Sequence, residues 1–179
     1  MMRLRWRLWV CLPILFFALS GCGAKGGPPR LPEWLEQPFH AKAVLQYDDF
    51  VAEGLLSREE DGSFLLEFDA PEVLKGMIMR FETGQVTIEY RGLTGNYRTD
   101  SIPQAAMGNL LAQASQRLCS GEEIDLEWEE SALLAKGRLQ RDGAPFVWAL
   151  DAPTGTLQSL SVPSHSFRAD FSDGALSSR

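Results

Sequence analysis

From Phe39 onward apolar and polar residues alternate, and Gly, Asn, Asp or Pro breaks the alternation at short intervals. Successive side chains of a strand point to opposite faces, so a period of two with frequent turn signals specifies antiparallel sheet that is oily on one face. The segment Met77 to Arg91 states the rule most fully. With Thr83-Gly84 as a two-residue turn, Phe81 faces Val86, Met79 faces Ile88 and Met77 faces Tyr90 on one side, and mainly polar pairs fill the other. A second hairpin around Asp142-Gly143 would set Leu139 against Phe146, Ala135 against Leu150, and Gly137 under the indole of Trp148. With Phe39 to Tyr47, Val51 to Leu56, Phe64 to Phe68, Ile124 to Trp128, Leu157 to Val162 and Phe167 to Phe171, the reading gives nine or ten strands.

One substantial helix is expected, from Pro103 to about Leu118. Met107, Leu110, Leu111, Ala114 and Leu118 form one stripe, Pro103 suits a first turn and Gly121 a helix end. A shorter helical turn is expected from Pro71 to Gly76. A helix about 10 Å wide covers two or three strands spaced about 4.8 Å apart, fewer than the sequence supplies with apolar faces. The fold class is therefore mainly β (α+β), a curled antiparallel sheet forming an incomplete barrel with the helix packed on its concave side.

The chain before this domain reads as an export signal. Arg3, Arg5 and Arg7 precede an apolar run from Leu8 to Leu19. That run is shorter than the roughly 20 residues a membrane span needs. Leu19-Ser20-Gly21-Cys22 resembles the lipobox of bacterial lipoproteins, which implies cleavage after Gly21 and a diacylglycerol on the Cys22 thiol. Residues 1–21 are thus expected to be removed, 22–38 to be the lipidated cysteine and a Gly/Pro-rich tether, and 39–179 to be a single β domain. Apart from the covalent lipid no cofactor is expected. The location implied is the cell membrane, on its extracytoplasmic face.

With 179 residues, 17 Lys and Arg against 24 Asp and Glu, the chain is acidic, and it becomes more so once the three signal arginines are gone. No cationic cluster follows residue 7, which excludes nucleic acid as a partner. Of the three cysteines, Cys11 leaves with the signal and Cys22 is acylated, so Cys119 is expected to be an unpaired, packed thiol. Gly21 to Gly26 matches the G-x-G-x-x-G spacing, but no strand precedes it and the cleavage point falls inside it.

Catalytic patterns are missing. His40 and His165 lie in different segments without metal-ligand spacing, and Ser164-His165-Ser166 has no nucleophile elbow. The acidic groups Asp48-Asp49, Glu59-Glu60-Asp61, Glu122-Glu123 and Glu127, Glu129 and Glu130 fall in turns or on the wet side of strands, where solvated surface accounts for them. No enzyme activity is expected.

The order of elements carries a resemblance. Asp69-Ala70-Pro71-Glu72-Val73-Leu74-Lys75-Gly76 between strands, Tyr90-Arg91-Gly92-Leu93 ending a hairpin, the mid-chain helix after Ile102-Pro103, and Asp151 to Thr156 before Leu160 resemble clostridial-type exported lipoproteins of the LolA/LolB-like lipoprotein-carrier superfamily, GerS-like members included. The resemblance implies an incomplete barrel around a helix with an apolar concavity. The role expected is a membrane-anchored, non-catalytic lipoprotein holding an acyl chain or other hydrophobic ligand there. The alternative is a partner-binding lipoprotein supporting a cell-envelope or spore-germination enzyme. Candidate ligand-contacting residues are Met77, Met79, Phe81, Val86, Ile88 and Tyr90 on the hairpin's oily face, with Trp128 and Trp148 as wall.

Overall fold

The computed structural model describes residues 28–101 and 106–176, with side chains through Ser172. The signal reading of residues 1–21, Cys22 and Pro103 lie outside the described residues. In chain order the elements are β1 (Phe39–Tyr47), β2 (Phe50–Arg58), β3 (Phe64–Ala70), β4 (Ile78–Glu82), β5 (Gln85–Tyr90), β6 (Leu93–Arg98), α1 (Met107–Ser120), β7 (Asp125–Glu129), β8 (Ala132–Arg138), β9 (Pro145–Asp151), β10 (Leu157–Val162) and β11 (Phe167–Leu176).

The strands form one antiparallel sheet in the order β6-β5-β4-β3-β2-β1-β11-β10-β9-β8-β7. Every neighbouring pair except β1 with β11 is a hairpin, so the chain meanders outward to β6, passes through α1 and returns from β7. The sheet curls around α1 without closing, and β6 and β7 are its two edges.

The inward side chains follow the alternation. Phe39, Ala41, Ala43 and Leu45 of β1, Phe64, Leu66 and Phe68 of β3, and Phe146, Trp148 and Leu150 of β9 are all buried. Against them α1 lays Leu110, Leu111, Ala114 and Leu118, each essentially inaccessible. The helix stops where Gly121 adopts φ 67°, its N–H bonded to the carbonyls of Arg117 and Leu118, a left-handed end that glycine accepts without strain.

Four expectations are corrected. The helix begins at Met107, because Ala106 has ψ 124° and is extended; the described helix is shorter than 103–118 at its start and longer at its end. Among the described residues the strand count is eleven rather than nine or ten: β6 (Leu-Thr-Gly-Asn-Tyr-Arg) carries too few apolar residues for alternation to reveal it. The second hairpin turns through four residues, with Leu139 N–H bonded to the Ala144 carbonyl and the Asp142 carboxylate taking the Ala144 N–H. The register moves accordingly, so that Phe146 rather than Trp148 faces Gly137, Trp148 faces Ala135 and Leu150 faces Leu133. A Cβ on Gly137 would stand 2.5 Å from the Phe146 ring, so the glycine still makes room for an aromatic.

The fourth correction is at the start of the domain. Residues 33–36 form a 3-10 turn whose Leu35 is buried, Trp34 meets Phe39 edge to face with ring centroids 5.1 Å apart, and Arg58 donates to the Glu36 carbonyl. The body therefore begins near Leu31 rather than Phe39, and that part of the proposed tether is docked. The turn from Pro71 to Gly76 is a single helical turn, with the N–H groups of Leu74 and Lys75 both on the Pro71 carbonyl.

Candidate functional site

The β4–β5 hairpin has the register expected of a Thr83-Gly84 turn, with Phe81 opposite Val86, Met79 opposite Ile88, and Glu82 opposite Gln85. Its inward face divides in two. Phe81 and Val86 are buried and Met79 is only 8% exposed, with Met79 and Phe81 against the start of α1. Gly108 of the helix sits so close that an added Cβ would be 3.0 Å from both the Met79 sulfur and the Phe81 ring. This half is filled core.

The other half is not covered in the same way. Met77, Ile88 and Tyr90 are half-buried. Pairing carries the same face onto β6, where Tyr90 meets Leu93, Ile88 meets Gly95 and Val86 meets Tyr97. Leu93 is 77% exposed and Val73, in the turn before β4, 64%. The Tyr90 hydroxyl donates to the Val73 carbonyl at 2.6 Å, and the Arg91 guanidinium lies 5.0 Å from the Tyr90 ring centroid. Together these residues form an apolar lip along the β6 edge, held in shape by the Tyr90 hydrogen bond.

The two tryptophans do not join that lip. Trp148 is fully buried, donates from Nε1 to the Ala114 carbonyl of α1 at 3.1 Å, and stacks at 5.2 Å with Phe171. Trp128 is on β7, opposite Leu133, at the far edge of the sheet, and is 46% exposed.

A second feature was not legible in the sequence. An open cleft of about 900 Å³ lies between α1, the tips of the β2–β3 and β4–β5 hairpins, the segment after β6 and the β8–β9 loop. Its lining carries five amide side chains, Gln85, Asn109, Gln113, Gln116 and Gln140, with Phe81 beneath. Arg141 reaches across to donate to the Thr99 and Asp100 carbonyls, tying the β8–β9 loop to the end of β6. Arg98 holds Asp100 through two hydrogen bonds and keeps its carboxyl below the ordinary carboxylate value.

The same β8–β9 loop is fixed on its other side, where His165 Nε2 and the Asp142 carboxylate are 2.7 Å apart. Burial pushes the Asp142 pKa up, but the Ala144 N–H and the His165 imidazole outweigh it, leaving it below the ordinary 3.8. A folded-state pKa below the unfolded one contributes stability above the unfolded value, lost as the pH falls through the folded one. Acid titration followed by amide exchange should therefore show the loop loosening only below pH 3.8. In Asp142→Asn that acid-dependent step should be missing, with a loss of about 1 kcal/mol at neutral pH.

Cys119 is half-buried beside the core, and burial pushes its thiol up to about 12, against a weaker opposing effect of the Arg58 charge. A thiol so rarely ionised reacts slowly. Labelling of the native protein at pH 8 should be much slower than in denaturant. Among the described residues no three His, Cys, Asp or Glu side chains converge as a metal would require, and no helix is long and apolar enough to cross a membrane.

The curled, unclosed antiparallel sheet wrapped around one helix is the architecture expected from the sequence, consistent with a LolA-like fold. A structure of an uncharacterized conserved protein from Thermus thermophilus is similar, with a TM-score of 0.53 at 11% identity over 81% of this chain and 82% of that one. Similar too are the LolA superfamily protein NE2245 from Nitrosomonas europaea, with TM-score 0.45 and 7% identity over 80% and 88%, and the Clostridioides difficile complex of the CwlD amidase with the GerS lipoprotein, with TM-score 0.42 and 14% identity over 69% and 73%. At these identities the likeness is one of fold. No family model matches the sequence, and no curated protein sequence is similar to it.

Proposed function

We propose that this chain is a membrane-anchored, non-catalytic lipoprotein that holds a hydrophobic ligand, such as an acyl chain, against the half-buried part of the β4–β5 hairpin face. The observation that carries this reading is the division of one continuous apolar face: Met79 and Phe81 are sealed against α1 and Val86 is buried, while Met77, Ile88 and Tyr90 run out to exposed Leu93 and Val73. A ligand lying there buries apolar surface that water now reaches, and the flexible Met77 side chain adapts to a flexible alkyl chain. Anchoring rests on the lipobox around Cys22, and puts the domain on the extracytoplasmic face.

Native mass spectrometry of the protein from Pro28 onward, which includes every residue of the buried core, tests the ligand. Copurified lipid lost on Met77→Gln supports it, and an empty protein that stays empty when fatty acid is added contradicts it. For the anchor, Cys22→Ser should leave an unprocessed precursor. Detergent-phase partitioning that persists in a mature-sized Cys22→Ser protein would place the anchor elsewhere.

The amide side chains of the cleft favour a second reading. Amide side chains that both donate and accept suit a peptide or a folded partner better than an alkyl chain, which fits a lipoprotein that steadies an envelope enzyme. Capture of an envelope protein by wild type, lost when Gln113 and Gln116 are changed to Ala, would favour this reading over the first.

A further inference from the structure

The two edges of the sheet are built differently. β7 alternates Asp125, Glu127 and Glu129 along its outer face, with Glu127 paired to Lys136 of β8. Acidic residues along an edge oppose pairing with any like-charged strand. β6 has no acidic residue and no proline between Leu93 and Arg98, so it lacks the usual protection of an open edge.

The hydrogen bonds fix which β6 groups face outward. In an antiparallel ladder the N–H and C=O of one residue point to the same side, and the side alternates along the strand. Thr99 donates to the Gly84 carbonyl at 3.0 Å, toward β5. Tyr97, Gly95 and Leu93 therefore point toward β5, and Thr94, Asn96 and Arg98 point to the open edge. The Arg98 carbonyl agrees with this, since the Ser101 hydroxyl donates to it at 2.7 Å. That leaves Thr94 and Asn96 presenting N–H and C=O that no strand among the described residues takes.

These groups are self-complementary. When β6 is set antiparallel to a second β6 about a two-fold axis at Gly95, Thr94 exchanges both backbone hydrogen bonds with the partner's Asn96, and Asn96 with the partner's Thr94. On the inner face Leu93 then lies against the partner's Tyr97, covering two of the most exposed apolar side chains of the protein. At Gly95 the strands meet without side chains, and each glycine is already roofed by its own Tyr97, whose hydroxyl lies 2.7 Å and ring 2.8 Å from where a Cβ would be.

We propose that β6 is the interface of a two-fold homodimer, formed by antiparallel pairing of Leu93–Arg98 with the same strand of a second copy. A closed pair satisfies both edges at once, whereas β6 against the acidic β7 of another copy would repeat without end. The proposal does not depend on the ligand reading: the pair covers Leu93, at the outer end of that apolar face, whereas Met77, Ile88 and Tyr90 lie inward of β6.

Sedimentation equilibrium of the full chain in density-matched detergent, with reductant present so that Cys119 forms no cross-link, reads the outcome. Wild type should behave as a monomer–dimer system. Thr94→Pro removes an N–H that points only outward, so it should keep the far-ultraviolet circular dichroism of wild type and weaken dimerisation by at least about tenfold. Leu93→Glu, at a position 77% exposed, should do the same through repulsion and lost contact, and decides the matter if the proline variant misfolds. A wild type that stays monomeric at the highest concentration overturns the proposal. So does a dimer indifferent to Leu93→Glu, or an assembly that grows past two copies.

Discussion

Leu111→Ala is expected to destabilise the protein by about 2–5 kcal/mol, and Leu111→Asp to leave it unfolded. Leu111 is 1% exposed and sits mid-helix between Leu110, Ala114 and Leu118, all in the shared core. The curled sheet has no second layer of its own; α1 supplies the side chains that fill its hollow around β1, β8 and β11. Truncation leaves a cavity that a sheet hydrogen-bonded along eleven strands relaxes into only partly, and a carboxylate there has no partner. Urea denaturation of both variants checks this. Unchanged midpoints would mean that the helix is peripheral to the fold.

Trp148→Ala should cost about 3–5 kcal/mol. The indole, on β9, is fully buried; its bond to the Ala114 carbonyl joins the sheet to α1, and within the sheet it packs on Phe171 of β11. Trp148→Phe keeps much of the volume and loses that bond, so its cost should be clearly smaller. The Ala114 carbonyl is also a normal helical acceptor, and losing the indole does not orphan it. Thermal melts of the two variants separate packing from hydrogen bonding. Equal costs for the two would show that the hydrogen bond, rather than volume, holds the layers together.

The alternation from Phe39 onward carried the sheet, and the stripe from Met107 to Leu118 carried the helix, because both periodicities report a buried face directly. Turn chemistry was legible only where it was simplest. Thr83-Gly84 fixed its hairpin's register, whereas Asp142-Gly143 is the second half of a four-residue loop whose closing bond, from Ala144 to the Asp142 side chain, depends on local geometry. β6 escaped notice because a strand at an open edge packs one face at most and needs few apolar residues. Leu31, Trp34 and Leu35 are spaced +3 and +1, a helical pattern that pointed to the docked turn but was masked by the surrounding prolines.

The hairpin's oily face was readable as a face but not as two halves. What separates Met77 from Met79 is Gly108, a residue on the helix that lets α1 descend onto one end of the hairpin. The cleft was not readable at all, since its walls come from five separate segments and its amides stand far apart in sequence.

Titration of a fluorescent fatty-acid probe into the protein from Pro28 onward, compared among wild type, Met77→Gln and Met79→Gln, tests the central claim most directly. Wild type should bind the probe. Met77→Gln, at the water-reached end of the face, should bind it several-fold more weakly with a nearly unchanged melting temperature. Met79→Gln, under α1, should instead lose about 1–3 kcal/mol of stability by burying an unsatisfied amide. Absence of probe uptake by wild type, or equal uptake by Met77→Gln, would contradict a hydrophobic ligand on this face.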